Sequence, residues 1–209
     1  MKVIYEDENV RVIDKPAGIA MDKFEKPAHR LDKDTSGVLL LAKNDEALEF
    51  LQKQFQGRKV EKRYLALVVG NLKNNQGKIE TLLGRSPKDR RKQKAYLSHD
   101  PQAKDKREAK TLYKVLQRFE NYDLIEVKPQ TGRKHQIRAH LTFLGHPVAC
   151  DKLYGFKNQP LPEGLKRQFL HSNYLKIKLP NGKEKEFKSE LPDDLKLCLQ
   201  NLKPLLKHN

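Results

Sequence analysis

A short polar segment, HRLDKDTSG at residues 29–37, stands directly before a run of apolar residues, where a plain connection would need only a turn. Asp32 lies in it between two basic residues, and the polar residues 34–36 that follow are types that hydrogen-bond nearby backbone amides in turns. A carboxylate held in such a loop suits a nucleophile or a general base. The same pattern is typical of an aspartate that only pins a turn, so the residues alone leave both interpretations open.

A second polar cluster, TGRKHQIRAH at residues 131–140, predicts a turn that leads into a helix. Its cations, Arg133 and Arg138 among them, would lie near a helix N-terminus, which favours a phosphate or a buried carboxylate. His135 and His140 are five positions apart, which does not place them together on the helix face that zinc sites use. We therefore predict no metal site.

A third candidate is Tyr64 in KRYLALVVG, a run in which alternate residues would face opposite sides of a strand. A strand tyrosine usually packs within its sheet, and the functional alternative is a surface on which a nucleic-acid base stacks. Both interpretations stay open on the residues alone.

The chain is strongly basic, because 43 Lys and Arg stand against 27 Asp and Glu, a net charge of +16 in 209 residues. Such an excess favours a polyanionic partner, nucleic acid above all, since cations that neutralise phosphates release condensed counterions. The densest cluster runs from Gly84 to Lys110 and contains Arg90, Arg91 and Lys92 in succession. We expect this stretch to be either a solvated loop or a loop that grips RNA.

No apolar run is long enough to span a membrane, and the N-terminal residues lack a signal-peptide pattern. Cys150 and Cys198 match no zinc spacing and are expected to be free thiols in a reducing compartment. We therefore expect a cytoplasmic protein that binds no membrane. No heptad pattern indicates a dimer, so a monomer is expected.

The elements that must position these residues are strands joined mostly by hairpins, with a few helices between them. The chain opens with a predicted hairpin that turns at Glu6–Asn9, and a later hairpin is predicted to turn at Pro180–Gly182. This pattern predicts an α+β fold around a mixed, mostly antiparallel β-sheet with a few flanking helices. The predicted strands are Lys2–Tyr5, Val10–Asp14, Gly37–Lys43, Lys62–Val69, Lys78–Leu83, Ala109–Gln117, Tyr122–Lys128, Phe169–Leu179 and Glu184–Lys188. The predicted helices run from Asn44 to Gly57, from Thr131 to Gly145 and from Asp193 through Leu202.

Several strings in this order resemble the RluA family of pseudouridine synthases, enzymes that isomerise uridine to pseudouridine within folded RNA. The resemblance is carried by VIYEDENVRVIDKPAG, HRLDKDTSGVLLLAKN, KRYLALVVG, EAKTLYKVL, TGRKHQIRAHLTFLGHPVACDKLYG and FLHS. It spans nearly the whole chain and implies the pseudouridine synthase fold. It also implies a single catalytic domain over residues 1–209, without the small RNA-binding module that often precedes that domain in the family.

The resemblance assigns roles residue by residue. It makes Asp32 the essential aspartate, Tyr64 the tyrosine that packs against the target base, and Arg138 the arginine paired with that aspartate. Leu170 resembles the apolar residue on the other side of the base, and Arg30 resembles an arginine that fills the gap left by the extruded base. Arg133 is implied as a further contact to RNA or to the active site.

The reaction implied is redox-neutral, so no cofactor is expected, and the substrate would be structured rRNA or tRNA. Because the RNA-binding module is expected to be absent, we expect target choice to rest on the catalytic domain and its loops, the Gly84–Lys110 stretch first. Only ten residues separate KPAG from HRLD, a short spacing for the family, so we expect a reduced wall of the site on that side. Attack on the sugar, attack on the ring, and a glycal route all stay open. The alternative hypotheses are a non-catalytic RNA-binding or ribosome-associated protein and a family member that keeps the fold and the affinity for RNA but does not catalyse the reaction.

Overall fold

The computed structural model describes residues 1–205 and contains both β-strands and α-helices. The strands of that part are β1 (Lys2–Glu6), β2 (Val10–Lys15), β3 (Ser36–Ala42), β4 (Glu61–Val69), β5 (Gln76–Arg85), β6 (Gln93–Tyr96), β7 (Arg107–Arg118), β8 (Tyr122–Pro129), β9 (Leu170–Lys178) and β10 (Glu184–Lys188). Its α-helices are α1 (Asp45–Gln56), α2 (Gln136–Phe143) and α3 (Asp193–Gln200). The predicted α+β class with mostly antiparallel strand pairing is confirmed.

Packing divides the chain into two compact units. The first comprises Met1–Tyr64 and Leu170–Pro192, and the second comprises Leu65–Phe169 and the C-terminal segment from Asp193. Strand β4 begins in the first unit and ends in the second. The single catalytic domain stays a prediction.

In the first unit, β1, β2 and β3 pair antiparallel in that order, so the opening hairpin is confirmed. Strand β3 pairs in parallel with β9, and β9 pairs antiparallel with β10 around the predicted turn. The apolar run in β3 leaves Val38, Leu39 and Leu40 with no exposed surface, as expected for a strand that is covered on both faces.

Helix α1 begins where the sequence predicted, because the side chain of Asn44 accepts a hydrogen bond from the backbone N–H of Ala47 at 2.8 Å. It ends before Gly57. Its inner residues Ala47 and Leu51 pack with residues of β2, β3 and β9 in the apolar core of the first unit.

In the second unit, β5 pairs antiparallel with both β6 and β7, and β7 pairs antiparallel with β8. Helix α2 begins at Gln136, five residues after the predicted start at Thr131. The reason is local. His135 adopts a left-handed backbone with φ of 54°, and the side-chain Oε1 of Gln136 accepts from the Thr131 hydroxyl at 2.7 Å and from the backbone N–H of Arg133 at 3.0 Å. These bonds hold residues 131–135 in a turn.

The loop expected between Gly84 and Lys110 is not one loop, which corrects the prediction. It contains the end of β5, the whole of β6, a short 3-10 turn at Pro101–Ala103 and the start of β7. Its many lysines obscured the strand pattern, although Tyr96 of β6 is only 2% exposed. Helix α3 ends at Gln200, before the predicted Leu202. Over residues 1–205, no helix has the length and apolar character needed to cross a bilayer.

Candidate active site

Asp32 lies in a tight turn directly before β3 and is half-buried. The backbone N–H of Thr35 donates to the Asp32 carbonyl at 3.0 Å and closes this turn. The backbone N–H of Gly18 donates to the Lys33 carbonyl at 2.9 Å and ties the turn to the segment after β2. The backbone that carries the carboxylate is therefore held from two directions.

Lys15, which the sequence analysis left without a role, is a main support of this loop. It is fully buried at the end of β2. Its ammonium donates to the carbonyls of Pro16 at 2.9 Å, Lys33 at 3.0 Å and Thr35 at 3.0 Å. Two of these carbonyls, those of Lys33 and Thr35, lie in the loop around Asp32, and charge-assisted hydrogen bonds hold it more strongly than neutral ones would.

A close backbone approach links this loop to β9. Gly37 has φ of 113°, and a Cβ built there would lie 2.2 Å from the Ser172 carbonyl oxygen. Only glycine fits this contact. Ser172 in turn forms a side-chain hydrogen bond with Tyr64. The loop of Asp32 and the ring of Tyr64 are thus fixed through one strand pairing.

Tyr64 is 8% exposed, and burial raises the pKa of its phenol to about 12, against a smaller lowering effect of the Ser172 hydrogen bond. The negative charge of Asp32 also raises this pKa, so the two side chains are near enough to interact. The structure thereby brings these two predicted residues together. A phenol with so high a pKa stays neutral at physiological pH.

Leu170 opens β9 and is 3% exposed. Its neighbour His171 is fully buried, with Nδ1 2.9 Å from the hydroxyl of Ser36 and Nε2 3.1 Å from the carbonyl of Ser189. A carbonyl only accepts, so Nε2 of His171 carries a proton. These bonds set the start of β9 against the end of the Asp32 loop. Arg30, by contrast, is exposed.

In the second unit, Arg138 is 7% exposed and forms a two-point contact with Asp151, which is 3% exposed. Its Nε donates to Oδ2 at 2.6 Å and its Nη2 donates to Oδ1 at 2.8 Å. Asp151 is itself held by the backbone N–H groups of Leu153 and Tyr154, each at 2.9 Å. This arrangement fixes the plane of the guanidinium. No sequence motif indicates this role for Asp151, which lies near the end of the string TGRKHQIRAHLTFLGHPVACDKLYG.

The other predicted RNA contacts also lie in the second unit. Arg133 is half-buried, and its Nε donates to the Glu108 carbonyl at 3.1 Å. Arg90 is exposed, whereas the guanidinium of Arg91 pairs with Asp89 at 3.0 and 2.8 Å. Arg91 therefore carries a local counter-charge that the sequence analysis did not foresee.

The ammonium of Lys92 lies 5.9 Å from the centre of the Tyr154 ring. Cys150 and Cys198 are buried free thiols, and burial raises the pKa of Cys198 to about 11. Within residues 1–205, no group of three His, Cys, Asp or Glu side chains is arranged to hold a metal ion.

A family model described as RNA pseudouridylate synthase matches residues 22–143, which include the Asp32 loop, Tyr64 and Arg138. The chain belongs to this family. The resemblance to the RluA pseudouridine synthases is thereby confirmed, and relatives named as large-subunit enzymes agree with it. Ribosomal large subunit pseudouridine synthase D of Nitrosomonas europaea is 35% identical over 98% of this chain and 66% of its own length.

An uncharacterized RNA pseudouridine synthase of Chloroflexus aurantiacus is 42% identical over 83% of this chain. Among solved structures, human RNA Pseudouridylate Synthase Domain Containing 1 matches 98% of this chain and 88% of its own, with a TM-score of 0.84 and 26% identity. The pseudouridine synthase fold is therefore confirmed. The chain spans 52% of the Chloroflexus relative and 59% of an Aquifex aeolicus relative.

Proposed function

We propose that this chain is an RNA pseudouridine synthase that isomerises one or more uridines in structured rRNA or tRNA. The observation that carries the proposal is the loop of Asp32, held by two hydrogen bonds from buried Lys15 to the carbonyls of Lys33 and Thr35, with neutral Tyr64 near it. A protein that only bound phosphates would gain nothing from a carboxylate fixed in this way, because the carboxylate repels the RNA backbone.

The proposed reaction breaks the bond between the ribose C1′ and the base N1, turns the uracil and forms a bond from C1′ to C5. The C5 proton leaves and N1 gains a proton, so no atoms or electrons are gained overall. Asp32 is the group that acts on the nucleotide, and attack on the sugar, attack on the ring and removal of a ribose proton are the three routes open to it. Each route needs the carboxylate ionised and held still.

A uridine inside folded RNA hides its glycosidic bond, so we infer that it is flipped out of its helix. Stacking on the Tyr64 ring, with apolar Leu170 as a second contact, would offset part of that cost, since base stacking on an aromatic ring is worth about 1–3 kcal/mol. We assign Arg138 a catalytic role, as the resemblance implies.

We also propose that Arg30, Arg133, Arg90, Arg91 and Lys92 contact RNA. The net charge of +16 supports a polyanionic substrate. The local Asp89 partner of Arg91 makes Arg90 and Lys92 the stronger contributors of this group. A cytoplasmic monomer remains our expectation, since rRNA and tRNA are modified where they are assembled and used.

The test is a map of pseudouridine in total rRNA and tRNA taken from a strain that lacks the protein, after incubation with purified enzyme. We expect wild type to add pseudouridine at defined sites and Asp32→Asn to add none, while RNA binding by Asp32→Asn stays within a few-fold of wild type, since phosphate contacts dominate affinity. Asp45→Asn removes an exposed carboxylate in the same unit and should reproduce the wild-type map. Identical maps for wild type and Asp32→Asn would show that the chain is not this enzyme.

A further inference from the structure

Tyr154 makes contacts that neither its sequence neighbourhood nor the proposed reaction accounts for. Its phenol oxygen accepts a hydrogen bond from the backbone N–H of Gln93 at 2.6 Å. The same oxygen lies 3.1 Å from Nδ1 of His135, and the two rings meet edge to face at 5.6 Å. One oxygen thus connects the first residue of β6 to the residue that precedes α2.

The ring of the same tyrosine contacts the guanidinium that the proposed reaction uses. The Cζ atom of Arg138 lies 4.9 Å from the ring centre, within the range of a cation–π interaction. The edge of the guanidinium formed by Nε and Nη2 donates two hydrogen bonds to Asp151. Arg138 is therefore oriented by a carboxylate in its plane and by an aromatic ring.

Tyr154 is 4% exposed and packs in a small apolar cluster with Leu83 of β5, Ala109 of β7 and Ala139 of α2. Packing alone would be satisfied by a phenylalanine. What the hydroxyl adds is the two polar contacts, to Gln93 and to His135. Gln93 follows the basic segment directly, and His135 directly precedes α2.

The basic segment at residues 86–92 closes the hairpin between β5 and β6, and Lys92 lies directly before Gln93. The backbone N–H of Gln93 is hydrogen-bonded to the phenol oxygen of Tyr154. The end of the basic segment, with Arg90 and Lys92, is therefore anchored to the side chain that contacts Arg138. A rigid connection between the hairpin and Arg138 would set the distance between the RNA phosphates that the hairpin holds and the reacting nucleotide.

We propose that Tyr154 is a positioning residue, whose phenol oxygen fixes the β5–β6 hairpin relative to Arg138 so that RNA gripped by the hairpin presents its uridine in register. The proposal rests on the proposed function. It predicts that loss of the oxygen impairs the chemical step on bound RNA much more than it impairs RNA binding.

Tyr154→Phe is the test variant, because it removes the oxygen and keeps the ring against Arg138. Tyr96→Phe is the matched control, since Tyr96 is a buried tyrosine of the same hairpin whose ring centre lies 4.4 Å from the ammonium of Lys94 and 6.0 Å from that of Lys106. The probe is total rRNA and tRNA from a strain that lacks the protein, used with excess enzyme so that a single turnover is followed.

We expect Tyr154→Phe to lower the single-turnover rate about tenfold, with the RNA dissociation constant changed less than about threefold, and Tyr96→Phe to match wild type in both. Arg90→Gln/Arg91→Gln/Lys92→Gln supplies a double-mutant cycle. If Tyr154 acts through the hairpin, its loss adds little to the rate defect of that triple variant. Fully multiplicative defects, or a wild-type rate for Tyr154→Phe, would overturn the proposal.

A second measurement keeps the two proposals separable. By NMR, Tyr154→Phe should speed amide hydrogen exchange of Gln93 at least about tenfold and shift the Nε–H signal of Arg138, while Tyr96→Phe should do neither. If wild type makes no pseudouridine, the proposed function fails, and these spectra still decide whether Tyr154 couples the hairpin to Arg138. An unchanged Gln93 amide together with an unchanged Arg138 signal would refute that coupling.

Discussion

Replacing Lys15 with methionine tests the claim that a buried ammonium holds the candidate catalytic loop. Methionine has similar length and apolar stem but donates no hydrogen bond, so the carbonyls of Pro16, Lys33 and Thr35 each lose a donor. A net contribution of about 1 kcal/mol for each contact gives a loss of roughly 3 kcal/mol in the free energy of unfolding. Two effects modify this expected loss of stability. The variant no longer carries the cost of burying a charge, which makes the loss smaller, and it leaves buried carbonyls without a donor, which makes the loss larger.

The assay has two parts. Urea unfolding at pH 7 measures stability, and single-turnover pseudouridine formation is then followed at a temperature where the variant is still folded. We expect Lys15→Met to lose roughly 3 kcal/mol of stability and, in addition, at least about tenfold in rate, because two of the three carbonyls flank Asp32.

Val12→Ala is the matched control for this prediction. Val12 lies in the same strand, is fully buried and contributes to the apolar core, so its truncation should cost about 2 kcal/mol without touching the loop. We expect its rate, per folded molecule, to equal that of wild type. A Lys15→Met protein that is destabilised but fully active would refute the positioning role, and one with unchanged stability would refute the hydrogen-bond reasoning itself.

Two further predictions concern stability in the second unit. Burial lowers the pKa of His140 from 6.5 to about 4, so the folded chain binds fewer protons than the unfolded chain below pH 6.5. The free energy of unfolding should therefore fall by roughly 1–2 kcal/mol between pH 7 and pH 5, and His140→Gln should flatten this slope in urea titrations at both pH values. Asp123 is fully buried and accepts from Leu72 N at 2.7 Å and from Asn71 and Arg118 at 2.9 Å, so Asp123→Asn should lower the urea midpoint by the equivalent of roughly 2–4 kcal/mol. A midpoint within error of wild type would show that this network contributes little.

Local patterns were sufficient for most of the elements. The apolar run of β3, the Asn44 cap of α1 and the turn between β9 and β10 lie where the sequence predicts them. Each of these signals involves residues within one or two turns of chain, and the physical forces that produce them act over the same short span.

Local patterns failed where neighbouring residues give conflicting signals. The lysines around β6 have the composition of a solvated loop, yet pairing with β5 and burial of Tyr96 make the segment a strand. The sequence predicts the start of α2 too early, at Thr131 rather than Gln136. The side chain of Gln136 hydrogen-bonds back to the preceding turn, and the periodicity of apolar residues gives no sign of this contact.

The family resemblance identified Asp32, Tyr64 and Arg138, and the structure supplies what surrounds them. Lys15 contacts a carbonyl 20 positions away, Asp151 holds an arginine 13 positions before it, and Tyr154 accepts from a backbone amide 61 positions earlier. None of these partners can be read from spacing, because each pair meets only after strands and helices have packed.

The amino-acid order alone therefore determined the class of fold and most of its elements, and its motifs assigned the side chains that we propose to contact the nucleotide. Only the tertiary structure decided how those side chains are held. An isolated loop cannot keep a carboxylate or a guanidinium in one orientation. The groups that do so come from distant parts of the chain, and only the packing of the core brings them together.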